Sequence, residues 1–150
     1  MNVVKQSRGF SSVELMVALS LLCILVGFVF LSTQTLKHRN NDTKRVNDID
    51  SIHKNLESYF AKKALYPTLD NMNDKSWLKT NMSLLDYESL RDPLGTVQML
   101  ADTPVGNQYS YTVTSNDGKP CDNGATQCKK YTLTAIKQES RKFYTKGNIN

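Results

Sequence analysis

Proline is absent from the first 66 residues, and neither proline nor glycine occurs between Phe28 and Tyr66. Nothing in that stretch breaks a helix. Charge is absent from residues 15–36, a run of 22. Such a run does not form a solvated surface. Histidine occurs only at His38 and His53, and cysteine only at Cys23, Cys121 and Cys128. The C-x6-C spacing lacks the second ligand pair of a zinc site, and neither histidine is near it in sequence. No glycine loop is built to cradle phosphate, and no serine stands in a nucleophile motif. The composition therefore points away from catalysis. Both histidines fall on a helical stretch and are expected to face solvent.

What is present begins with Arg8-Gly9-Phe10-Ser11-Ser12-Val13-Glu14. It opens an apolar run over residues 15–31, about 26 Å long as a helix. Glu14 is the one charge where the run begins, and a carboxylate at the end of a membrane segment needs a partner. An ordinary secretory signal is cut after its apolar region at small residues, and no A-x-A site follows Leu31. A lipoprotein signal has small residues before its cysteine, whereas Leu21 and Leu22 precede Cys23.

The glycine, phenylalanine, glutamate and apolar run, so spaced, resemble the cleavage and assembly signal of type IV pilins and type II secretion pseudopilins. The resemblance implies that a prepilin peptidase cuts between Gly9 and Phe10 and that the amine of Phe10 is N-methylated. It also implies that Glu14, fifth in the mature chain, pairs with the terminal amine of a neighbouring subunit. The implied fold is α+β and pilin-like. A long N-terminal helix, membrane-spanning in its first half, packs on a small antiparallel sheet. Gly27 matches the glycine that many members carry deeper in this helix, while their helix-loosening proline is missing. Asp92-Pro93-Leu94-Gly95 faintly resembles a turn of major pseudopilins.

Five regions follow: a leader over 1–9, a membrane and filament-core helix over 10–36, its amphipathic continuation over 37–64, a connecting region over 65–108, and a C-terminal hairpin region and tail over 109–150. Val46, Ile49, Ile52, Leu56, Tyr59 and Phe60 recur at three- and four-residue steps, the signature of one buried helix face. One helix is expected from about Ser11 to Lys63, ended by Tyr66-Pro67. Asn73-Asp74 reads as the cap of a short helix reaching about Met82. Tyr109, Tyr111 and Val113, then Tyr131, Leu133 and Ala135, alternate with polar residues as strands do. Asn116-Asp117-Gly118 and Asp122-Asn123-Gly124 supply turns between them. The tail from Glu139 is expected to fray.

Basic residues on both sides of the apolar run favour an internal C-terminus when simply counted. The cleavage motif outweighs that count, and the export it implies favours pairing of Cys121 with Cys128. Cys23 reads as a small apolar packing residue. No cofactor is expected; the calcium site that the resemblance to secretion pseudopilins suggests at the hairpin tip would use Asp117 and Asp122, although their spacing is not that of an EF-hand. The net charge of +5 is segregated. Residues 64–118 carry three basic and seven acidic side chains, and residues 119–150 seven and two. The basic end, with Lys119, Lys129, Lys130, Lys137, Arg141 and Lys142, reads first as a solvated face; the functional alternative is that it suits a polyanion such as DNA or a cell-surface polymer, or an acidic zone of a stacked neighbour.

The sequence thus predicts a structural subunit rather than an enzyme. Its precursor would be single-pass in the cytoplasmic membrane. Copies alone or with other pilins would be stacked by an assembly ATPase and a membrane platform protein into an extracellular filament for adhesion, twitching motility or DNA uptake. The alternatives are a type II secretion pseudopilin and a membrane-anchored binding domain that never polymerises.

Overall fold

The computed structural model describes residues 11–149. The leader, Gly9 and Phe10 lie outside them. The chain divides into two units, residues 1–37 and 38–150. Helix α1, Ser12–Lys63, is continuous over 52 residues, as expected of a stretch whose only glycine is Gly27 and which holds no proline.

Within the second unit, Ile49, Ile52 and Leu56 on α1 are fully buried. Each contributes about 1.5–3 kcal/mol of apolar burial. Tyr59 and Phe60 pack at the edge of the same cluster. Val46, expected on this stripe, is only half-buried. Arg45, one residue earlier, takes the inward position with 1% exposure.

The helix ends at Lys63, as expected, but the stop is made by Ala64 rather than by Tyr66-Pro67. Ala64 adopts φ 56°, and its N–H reaches the Phe60 carbonyl at 2.7 Å. A left-handed residue after the last turn is a common helix stop, though usually a glycine. Tyr66-Pro67 comes after the stop. Thr68 then caps α2, Leu69–Asn73, by a reciprocal pair with Asn71. Asp74 caps α3, Lys75–Asn81, accepting from the N–H groups of Ser76 and Trp77. A short 3₁₀ turn follows at Tyr87–Leu90. Asn73 ties this region together, donating to the Leu100 carbonyl and accepting from its N–H.

The sheet is antiparallel in the order β1 (Ser110–Thr114), β2 (Lys130–Ile136), β3 (Phe143–Gly147). Tyr111 pairs with Leu133, and Thr134 with Thr145. Tyr109, Tyr111, Tyr131, Leu133 and Ala135 join the helix stripe in one core. The tail expected to fray is instead strand β3. Its register is held by the ladder to β2 and by Tyr144, whose hydroxyl donates to Asp50 on α1 at 2.9 Å.

Ala64 generates a prediction. An alanine in the left-handed region is strained, whereas glycine is at ease there. Ala64→Gly should stabilise the folded domain by about 0.5–1 kcal/mol. Denaturant unfolding would show a higher midpoint at unchanged slope.

Candidate assembly segment and the sites that brace the folded domain

The first unit supplies the apolar segment. Its 18-residue core, Ser12–Val29, is long and apolar enough to cross a membrane, and none of it is buried within the chain. Met16 is 74% exposed, and Val13 and Phe28 68% each. A helix that is apolar all round is at home only in lipid or among other helices. Ser20 donates its hydroxyl to the Val17 carbonyl at 2.8 Å, so its polarity is satisfied within the helix. Around Gly27 nothing lies within 4 Å of where a Cβ would stand. That position is open for a close helix approach from another molecule. Cys23 is a free, exposed thiol. Glu14 lies in the first turn, where the helix dipole favours an anion. Among the described residues no ion pair involves Glu14.

In the second unit the dominant polar feature is a buried guanidinium. Arg45 donates from Nε and Nη2 to the two oxygens of Asp92, at 2.6 and 2.8 Å. Its Nη1 donates to Asp42 Oδ1 at 2.8 Å. Asp92 also accepts from the Leu94 N–H at 2.9 Å, which fixes the Asp92–Gly95 turn. Gly95 is required there: a Cβ would stand 2.6 Å from the Asn107 carbonyl oxygen. Asp42 accepts the N–H groups of Gln138 and Glu139 at 2.7 and 3.0 Å. One arginine therefore joins α1, the turn at Asp92 and the turn between β2 and β3.

Burial alone would raise the Asp42 carboxyl, but the two backbone N–H groups and Arg45 outweigh it and hold it below its usual range. Burial opposes the charge on Arg45 too, and its two carboxylates overcome that and raise it. Asp48 differs. Burial raises it, against Lys44 and the Tyr109 hydroxyl, which donates to it at 2.8 Å.

A second network links α1 to the sheet. Glu57 Oε1 accepts from the hydroxyls of Tyr66 and Tyr131, at 3.0 and 2.9 Å. The Tyr131 proton being so used, His53 donates from Nδ1 to the Tyr131 oxygen at 2.6 Å. Burial, then Glu57, raises both tyrosines. His53 is thus a structural partner, where the sequence predicted a solvent-facing ring. His38 is half-buried.

Cys121 and Cys128 are joined by a disulfide. The loop it closes clamps the chain leaving α1. Asn123 donates to the Tyr66 carbonyl at 2.7 Å and accepts from the Cys128 N–H at 2.8 Å. The Tyr66 N–H donates to the Cys128 carbonyl at 2.9 Å. Asp122 accepts from the N–H groups of Gly124 and Thr126, and these lower its carboxyl. Asp117 accepts from the Ser115 hydroxyl and pairs with Lys119. Each of the two carboxylates named for calcium thus serves its own turn. Among the described residues no group of three metal-ligating acids, histidines or cysteines comes together.

The basic residues of the C-terminal third separate into two groups. Lys119 pairs with Asp117, and Lys129 and Lys130 donate to the carbonyls of Ala64 and Asn116. Lys137, Arg141 and Lys142 lie together on the β2–β3 turn.

Three sets of variants test these braces. Arg45→Met leaves two buried carboxylates without their cation and should destabilise the domain by about 3–5 kcal/mol. Asp42 has a lowered folded pKa, so its contribution is complete above the unfolded value near ~3.9 and is lost as pH falls below it. Asp42→Asn should therefore be less stable at neutral pH and show a flatter loss of stability in acid, as read by denaturant unfolding at stepped pH. Replacing both Cys121 and Cys128 with serine should cost about 2–3 kcal/mol, the loop being short. Limited proteolysis should then nick the 118–128 loop first.

The chain is similar to a known secretion-system protein. The type II secretion system core protein G of Vibrio cholerae serotype O1 is 29% identical over 140 residues, covering 93% of this chain and 88% of that protein. No family model matches the chain, and no solved structure matches it. The matched length takes in both the apolar segment and the α+β domain, and the similarity agrees with the resemblance of the N-terminal motif to type IV pilins and type II secretion pseudopilins.

Proposed function

We propose that the chain is a filament subunit of the pilin kind, made as a single-pass membrane precursor and polymerised through its apolar helix segment. The observation that carries this reading is Glu14. It is the sole charge of residues 12–36, at the head of a segment with no burial in its own chain. A plain anchor has no use for that carboxylate. A carboxylate in the bilayer is disfavoured by roughly 2.5–3.5 kcal/mol on insertion scales, and an ammonium from an adjacent subunit offsets this while setting axial register. In this proposal prepilin peptidase cuts between Gly9 and Phe10, Phe10 is N-methylated, and its amine is the partner of Glu14 in the next subunit. A platform protein and an assembly ATPase drive the stacking. The work is structural, with no reaction catalysed.

The same chemistry serves an extracellular pilus and the short pseudopilus of a secretion system. The similarity to a type II secretion core protein favours the second setting. The Asp92–Gly95 turn resembles one of major pseudopilins, whereas the disulfide between Cys121 and Cys128 is more like a pilin's terminal staple.

Intact-mass analysis of membrane-extracted protein tests the processing step. The expected mature chain starts at Phe10 and carries one added methyl group. A chain still starting at Met1, or starting beyond Leu31, overturns it. For assembly, Glu14→Leu should insert at normal levels yet form few filaments by electron microscopy. Abundant filaments built only from that variant would remove Glu14 from the mechanism.

A further inference from the structure

The β2–β3 turn holds a charge pattern that the filament reading leaves unused. Over residues 137–142 it carries Lys137, Arg141 and Lys142 against Glu139. The turn is fixed to α1 by the bonds from the Gln138 and Glu139 N–H groups to Asp42 and by the pair between Arg39 and Glu139 at 3.6 Å. Between them lies an open recess of about 550 Å³, with Arg39, Asp42 and Thr43 on one side and Lys137, Glu139 and Ser140 on the other. Both acids are committed, Asp42 to Arg45 and two N–H groups, and Glu139 to Arg39. Asp50, beside β3, is held by Tyr144 and Lys146. Among the described residues no carboxylate pairs with Arg141 or Lys142. Arg141 is exposed and keeps a left-handed backbone, φ 52°, where glycine or asparagine fits with less strain. Within the recess Arg39 and Lys137 are matched in number by Asp42 and Glu139; the surplus positive charge lies beside it on the turn, at Arg141 and Lys142, and two hydroxyls in the recess, Thr43 and Ser140, can donate to an anion.

Chain length indicates which anion. Residues 15–36 are uncharged. As a helix these 22 residues span about 33 Å, matching a hydrocarbon core of about 30 Å. The next charges, Lys37 and Arg39, then fall at the depth of the lipid headgroups. We infer that Arg39 and the β2–β3 turn form a docking site for anionic phospholipid headgroups, used while the subunit resides in the membrane. This rests on the membrane-resident precursor proposed above. The phosphodiester would sit in the recess between Arg39 and Lys137, with Arg141 and Lys142 over neighbouring headgroups. Nucleic acid fits less well. A strand is gripped by a longer basic track with open aromatic faces, and the aromatic ring beside the recess, Tyr144, is covered by Lys137 at 5.3 Å.

The test uses the full-length chain in vesicles of phosphatidylcholine, with and without about one-third phosphatidylglycerol. Amide hydrogen exchange is read over residues 138–142. The anionic vesicles should slow it about tenfold, and high salt should reverse the effect. Lys142→Glu should weaken the protection and Lys137→Glu/Arg141→Glu/Lys142→Glu should abolish it, with exchange in β2 unchanged as the check on folding. Equal rates in the two vesicles, or a salt-insensitive difference, overturn the inference. So does equal protection in neutral vesicles by soluble glycerol phosphate or by short duplex DNA, since the site would then not be one for lipid. Resistance to alkaline carbonate extraction separates the two levels. A chain that washes off the membrane refutes its residence there, whereas an embedded chain with equal rates refutes only the docking site.

Discussion

A guanidinium with 1% exposure is tolerated only if its donors find acceptors and its charge finds counter-charge. Arg45 meets both conditions through Asp92 and Asp42. Its partners are 47 residues away on one side and three on the other, and Asp42 reaches on to the β2–β3 turn. Apolar packing alone would let two separate pieces of chain slide over the helix stripe. The bidentate contact does not, because the planar fork of arginine matches a carboxylate in one orientation. The Asp92 turn and the β2–β3 turn are thus referred to the same side chain, and the charges on each keep fixed places relative to α1.

The sheet that this arrangement supports has only three strands, and small sheets are exposed at their edges. Both edges are managed. Beyond β1, the chain at Ala101 donates to the Tyr109 carbonyl and accepts from the Tyr111 N–H, and the Thr112 hydroxyl donates to the Asp102 carbonyl. On the other side, β3 is short and carries Lys146 toward Asp50. A filament subunit needs this protection. Its domains would be held at high local concentration, where open strand edges would pair in the wrong way.

Much of this was legible from periodicity. The steps Ile49, Ile52 and Leu56 gave the helix face, and the alternation around Tyr111 and Leu133 gave two strands. The third strand was hidden because Phe143-Tyr144-Thr145-Lys146-Gly147 mixes strand formers with a charge and a glycine, and its register depends on Tyr144 reaching Asp50 across the fold. The Arg45 network was missed for a different reason. No motif in the sequence pairs Arg45 with Asp42 or Asp92, yet the spacing holds a signal. Arg45 precedes Ile49 by four and continues the steps through Ile52 and Leu56, so it extends the buried stripe by one turn. A charge at such a position requires a partner. Asp92, beside a proline and three residues from a glycine in sequence, reads only as turn chemistry. The stop at Ala64 had no sequence signal, since alanine favours the helix it ends here.

The two ends of α1 thus handle charge in opposite ways. In the folded domain Arg45, Asp42, Asp48, Asp50 and Glu57 each have a partner within the chain. At the other end Glu14 has no ion pair among the described residues, and the apolar side chains around it are exposed. A carboxylate is readily solvated in water and needs no partner there. In lipid, or among packed helices, it is disfavoured until a cation approaches. The described part of the chain supplies none near it, so a cation from another molecule is the fitting complement. The proposed amine of Phe10 in a neighbouring subunit has the right charge, and a chain cleaved after Gly9 would present it at a helix start. In that proposal residence in the membrane and assembly draw on the same residue: the carboxylate that is poorly matched to lipid would be the one that makes stacking favourable.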